Sequence, residues 1–156
     1  MEVTVKKMNQ FLMFKLPSAY ICGVKLKELD KTKAVVSVKY RWINQNPFNS
    51  MYFAVQSMAA ELTTGAIVIK KIRESGEKIS MLVTNHSGRF TKKAIGKITF
   101  TCNDGVLIDE ALKRTIDTGE GQTITMKSVG LNEQGEQVSE YEFEWSVKLK
   151  SKNKLK

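Results

Sequence analysis

The clearest signal in the chain is a period of two near its end. Over residues 139–150, Tyr141, Phe143, Trp145, Val147 and Leu149 alternate with Glu140, Glu142, Glu144, Ser146 and Lys148. That alternation predicts a strand with one buried face. Residues 122–131 read as its neighbour, joined through the turn 132–136. Residues 94–102 set Ile98, Phe100 and Cys102 against Lys97, Thr99 and Thr101, which predicts another strand. The segments 34–43, 67–72 and 79–85 are rich in β-branched and aromatic residues, and with the rest they give five or six strands. Asn103-Asp104-Gly105 breaks one of these, and Leu107, Ile108, Ala111, Leu112 and Ile116 then fit a short helix over 107–116. Val5, Met8, Leu12 and Phe14 have roughly helical spacing over 3–16, which Pro17 stops. A helix packed on its own domain is favoured there over an amphipathic membrane helix.

The segment 50–64 behaves differently. Ser50 or Asn49 can cap its start and Gly65 can mark its end. Met51, Phe53, Val55, Met58, Ala59 and Leu62 point to every side of the helix. Such a helix has to be covered on most of its surface. An antiparallel sheet curled around it does this, so the prediction is one α+β domain over residues 1–156.

A length of 156 residues, 42% hydrophobic and 26% charged, suits a single domain with a core of its own. No apolar run is long enough to span a bilayer, and no secretory signal stands at the start. Cys22 and Cys102 lie far apart and form no CxxC pair, so they read as reduced thiols in a cytoplasmic protein. The net charge of +9 suits an anionic partner. The lysine-rich end at 150–156 reads as a solvated tail. Nucleic acid is not favoured, because there is no aromatic RNA-binding motif, zinc-finger spacing or basic heptad region. No cluster has metal-ligand spacing and no glycine-rich phosphate loop is present. His86, the single histidine, reads as a surface residue, and no G-x-S-x-G elbow accompanies it.

The stretch from Asn46 to Glu61 resembles the helix motif of hotdog-fold acyl-CoA thioesterases of the phenylacetate-degradation type. Asn46 falls on that pattern's asparagine and Ser50 on its hydroxyl residue. Tyr52-Phe53-Ala54 stands where the family has His-Gly-Gly, and Glu61 falls on the acidic residue within the helix. Phe90-Thr91-Lys92-Lys93-Ala94-Ile95-Gly96 is similar to the family's Phe/Tyr-x-x-Pro-Ala-x-x-Gly, with one spacer fewer and lysine for proline. The likeness is greatest to an uncharacterised branch with Asn-Pro-Phe-x-Ser before its helix. It implies a hotdog fold and hydrolysis of an acyl thioester, with coenzyme A as part of the substrate and no separate cofactor. Phe53 in place of a glycine narrows the carbonyl site or changes the ligand.

The resemblance implies that Glu61 is the base or nucleophile and that Asn46 orients substrate or water. The amides of Phe53 and Ala54 would polarise the carbonyl, with Tyr52, Ser57 and Thr64 on the substrate. Ser50, Ala54, Ser57, Glu61 and Thr64 follow one helical stripe, beside which Gln56 sits. Phe53 and Glu61 are eight residues apart, roughly 12 Å along a helix, so one helix cannot bring both to one carbonyl. Two antiparallel helices can, which predicts a homodimer with shared sites, or a tetramer built from it. Arg89, Lys92, Lys93 and Lys97 would meet the coenzyme A phosphates, or simply form a solvated strand edge. Glu61 has an alternative too, reaching solvent or a lysine near the helix end. Two rival functions stay open: a hotdog protein that holds an acyl chain without turnover, and a basic membrane-surface or nucleic-acid module.

Overall fold

The computed structural model describes residues 3–151. Helices α1 (Val5–Lys15) and α2 (Pro17–Ile21) lead into strands β1 (Lys25–Leu29) and β2 (Ala34–Lys39). Helix α3 (Phe53–Ser75) follows, then β3 (Ile79–Phe90), β4 (Lys97–Cys102), α4 (Gly105–Thr118), β5 (Gln122–Leu131) and β6 (Gln137–Leu149). The six strands form one sheet in the order β1-β2-β4-β5-β6-β3, and every neighbouring pair is antiparallel. The sheet packs against α3, as the hotdog arrangement requires. Val36, Val38, Ile98, Phe100, Met126 and Ile67 are wholly or almost wholly buried in the core between them. The lysine-rich tail expected at 150–156 lies outside the described residues beyond Ser151.

The central helix differs most from the sequence reading. It runs 23 residues, roughly 34 Å, and neither starts at Ser50 nor stops at Gly65. Ile67 to Ile72, expected as a strand, is its C-terminal half. Ile67 and Val68 are fully buried, and this packing overrides the β preference of the run. The adjacent Lys70 and Lys71 are also buried, in ion pairs with Glu74 and Asp109. Gly65 is accommodated mid-helix because the Trp145 ring presses against its backbone: a Cβ there would sit 3.1 Å from Trp145 Cζ2. The true stop is Gly76, which adopts the left-handed conformation at φ 74°.

Other boundaries move for identifiable reasons. β2 ends at Lys39 because the buried Asn44 amide donates to the carbonyls of Lys39 and Cys22 and accepts from the Arg41 amide. That capture turns Trp42–Asn44 into a 3-10 turn, so the strand expected through 43 is cut short. Pro17 ends α1 as expected but also opens α2. β4 starts at Lys97 rather than 94, after Gly96 at φ 74°. β3 extends five residues past the expected end through a polar segment paired with β6. β1 has no counterpart in the sequence reading, for its Lys-Leu-Lys-Glu-Leu buries only Leu26 fully.

Gly130 shows how closely the sheet face is packed. A Cβ added there would lie 2.5 Å from Phe100 Cε1, on a ring with no exposed surface. Gly130→Ala is therefore expected to destabilise the fold by about 1–3 kcal/mol, read as a lower urea midpoint with an unchanged slope.

Candidate functional site

Three inward side chains of β6 carry the N-terminal half of α3. Tyr141 donates to the Phe53 carbonyl at 3.2 Å, and Trp145 Nε1 donates to Thr64 Oγ1 at 2.9 Å. Phe143 lies between them in the row. Ser139 donates to Gln56 Oε1 at 2.8 Å, and the Thr63 and Ser128 hydroxyls are hydrogen-bonded at 2.9 Å. These bonds satisfy the polar groups that α3 turns toward the sheet. What the sheet leaves half open is one stripe of the helix: Ala54, Ser57, Met58 and Glu61.

Glu61 sits at mid-helix, so the alternative placing it near a helix end does not apply. Among the described residues its carboxylate makes no hydrogen bond and no ion pair. Burial raises its pKa above the ordinary 4.5, and no neighbouring charge counteracts the shift. Gly65 lies beside the group: a Cβ there would sit 3.5 Å from Glu61 Oε1, in ordinary contact with it.

The start of α3 forms the second part. Tyr52 is its N-cap residue and gives no side-chain cap. The Phe53 and Ala54 amides stand in the first turn, where the helix has no acceptor for them. A cavity of about 550 Å³ opens beside this turn, lined by Asn46, Tyr52, Phe53, Gln56, Phe90 and Lys93 among others. The Phe53 ring is 54% exposed and meets Tyr52 and Phe90 edge-on. Phe90 continues to Tyr141, Tyr141 stacks on Phe143, and Phe143 stacks on His86.

The structure therefore brings Ala54, Ser57 and Glu61 onto one open stripe, with Tyr52 and Phe53 at its end. It does not place Thr64 there: that hydroxyl is fully buried, accepting from Trp145 and donating to the Glu61 carbonyl. Ser50 precedes the helix and is buried against Asn46. The Asn46 amide is committed to its own turn. Its oxygen accepts from the Phe48 and Ser50 amides, and its nitrogen donates to Ser50 Oγ and the Met51 carbonyl. Lys92 and Lys93 border the cavity, Lys92 paired with Glu136 and Lys93 donating to the Phe48 carbonyl. Arg89 and Lys97 do not join them. Arg89 lies opposite Glu140 on the other face of the sheet, and Lys97 alternates outward from Ile98.

His86 is exposed on the edge strand β3, as the sequence reads it, and its register sets it opposite Phe143. The alternation of β6 marked Tyr141 and Trp145 as buried without revealing what their polar atoms hold. Cys102 is buried and its thiol is pushed up to about 12, chiefly by that burial. Both cysteines are unpaired.

The pKa of Glu61 has a consequence for stability. The folded state binds this proton more tightly than the unfolded chain does. The resulting stabilisation is full below 4.5 and is lost as pH rises through the folded pKa. Glu61→Gln should therefore raise the melting temperature at pH 7. The gain should shrink as pH falls toward 4.5, as thermal melts across that range would register.

No curated protein matches the chain. Among solved structures it is similar to a Pseudomonas aeruginosa protein of unknown function described as a probable thioesterase. The identity is 20% and the TM-score 0.84, over 96% of this chain and 99% of that one. A Chlorobaculum tepidum protein of unknown function aligns with a TM-score of 0.81 at 15% identity, over 94% of each chain. A Haemophilus influenzae thioesterase aligns at 0.73 and 13% identity, over 96% of this chain and 93% of that one. These likenesses establish the hotdog fold. Residues 5–147 match the domain of unknown function DUF4442, and the chain belongs to that family.

Proposed function

We propose that this protein hydrolyses an acyl thioester of the acyl-CoA class, as a homodimer in which each site draws on both subunits. The observation that carries the reading is Glu61: a desolvated carboxylate without a partner among the described residues, on the half-open stripe of the N-terminal half of α3. The fold shared with proteins described as thioesterases supports it. Glu61 takes a proton from water, and the hydroxide attacks the thioester carbonyl. The C–S bond breaks, the thiolate leaves with a proton returned by Glu61, and the products are a carboxylic acid and a thiol. The amides of Phe53 and Ala54 of the partner subunit stabilise the carbonyl oxygen as it gains charge. Asn46 acts by fixing the turn that sets those amides, and Ser57 and Tyr52 line the substrate's path. Lys92 and Lys93 attract the phosphates of the coenzyme.

The sheet order supports the dimer. It ends on β3, a 12-residue edge strand with one side unpaired. An edge this long invites a second strand, and pairing it with its own copy about a twofold axis extends the sheet and sets the two helices antiparallel. Sedimentation should give twice the 17.6 kDa chain mass, and a Leu82→Glu change on that strand should shift the particle toward the single-chain mass.

The decisive experiment follows thiol release from a panel of acyl-CoAs. Glu61→Gln should lower the rate by about 10²–10⁴-fold, and unchanged turnover would remove Glu61 from the chemistry. Tight acyl-CoA binding without thiol release would favour the non-catalytic reading, to which Phe53 at the usual glycine position lends support.

A further inference from the structure

A second hollow of about 330 Å³ opens at the far end of α3, between that helix, α1 and the first residues of β3. Its walls are Met8 and Phe11 from α1, Ile69 and Ile72 from α3, and Ile79 and Met81 from β3. This volume is at the lower end of the range for small-molecule sites, and the apolar lining is typical of them. The charged groups on the lining are both cations, Lys7 and Arg73. Neighbouring lysines on α3 are neutralised, Lys70 by Glu74 and Lys71 by Asp109. Arg73 forms no ion pair with a carboxylate among the described residues.

A greasy hollow with the Arg73 guanidinium at its mouth selects an apolar chain ending in one anionic group. We propose that this hollow binds a single-chain fatty acid, its hydrocarbon among Met8, Phe11, Ile69, Ile72 and Met81 and its carboxylate at Arg73. The planar guanidinium suits a carboxylate bidentately. A neutral ester or thioester would leave that donor fork without an acceptor. The site does not depend on the thioesterase reading, although the acid released there would have this chemistry. Edge pairing of β3 uses backbone groups and leaves the inward side chains of Ile79 and Met81 in the hollow.

The chain has seven methionines, and labelling their methyl carbons gives a direct readout by NMR. Decanoate should shift Met8 and Met81 saturably and leave Met51 and Met126 in place. Arg73→Glu, on an exposed residue, should weaken decanoate by at least about tenfold and leave decanol binding unchanged. Ile72→Trp should fill the hollow and abolish both. The proposal is overturned if decanoate shifts Met51 and Met58 instead, which would place it along the N-terminal half of α3. It also fails if no saturable shift occurs, or if Arg73→Glu binds decanoate as the parent protein does. Acyl-CoA turnover is read separately, so the loss of one result leaves the other intact.

Discussion

One constraint organises the molecule: a helix apolar on nearly all sides must be covered, and a single six-stranded sheet cannot reach the whole of it. The sheet grips α3 through Trp145 on Gly65 and Tyr141 on the Phe53 carbonyl. At one side the sheet ends on β3, which pairs only with β6. The uncovered stripe is where Glu61 lies. Its desolvation follows from the same packing that stabilises the core, since apolar surroundings disfavour the charged form. Under the proposed hydrolysis, a carboxylate kept at a disadvantage by its surroundings is the better base, and a replacement that relieves the fold weakens the reaction.

How much of this was legible in the chain depended on how locally each feature is encoded. β5 and β6 were readable because each buries one face, and a period of two survives in the residues themselves. The run Ile67–Ile72 was not, because β-branched residues in a fully buried helix look the same as in a buried strand. Gly65 compounded the error, since it is glycine for the sake of a tryptophan 80 residues away in sequence. β1 and the far half of β3 were missed for the opposite reason. They are edge strands with little to bury, so lysines, asparagine and serine hide the pattern.

The placement of the candidate residues was legible only in part. Glu61 stood out as one acid in an apolar helix, and the structure leaves it half buried and unpaired among the described residues. Helical spacing placed Ala54, Ser57 and Glu61 on one stripe correctly, because that is a property of the helix alone. It failed for Ser50 and Thr64, because the turn held by Asn46 delays the helix start and the Trp145 indole covers Thr64. His86 stands exposed on β3 as its polar segment suggested, and only its register opposite Phe143, after the irregularity between Val83 and Asn85, was not readable from the chain.

The two tryptophans have very different surroundings. Trp42 is 80% exposed on its turn, whereas Trp145 is 4% exposed, its indole bonded to Thr64 and lying against the glycine next to the Glu61 carboxylate. The molecule therefore carries a built-in optical pair, an outer chromophore that senses bulk water and an inner one that senses the packing of the helix around Glu61.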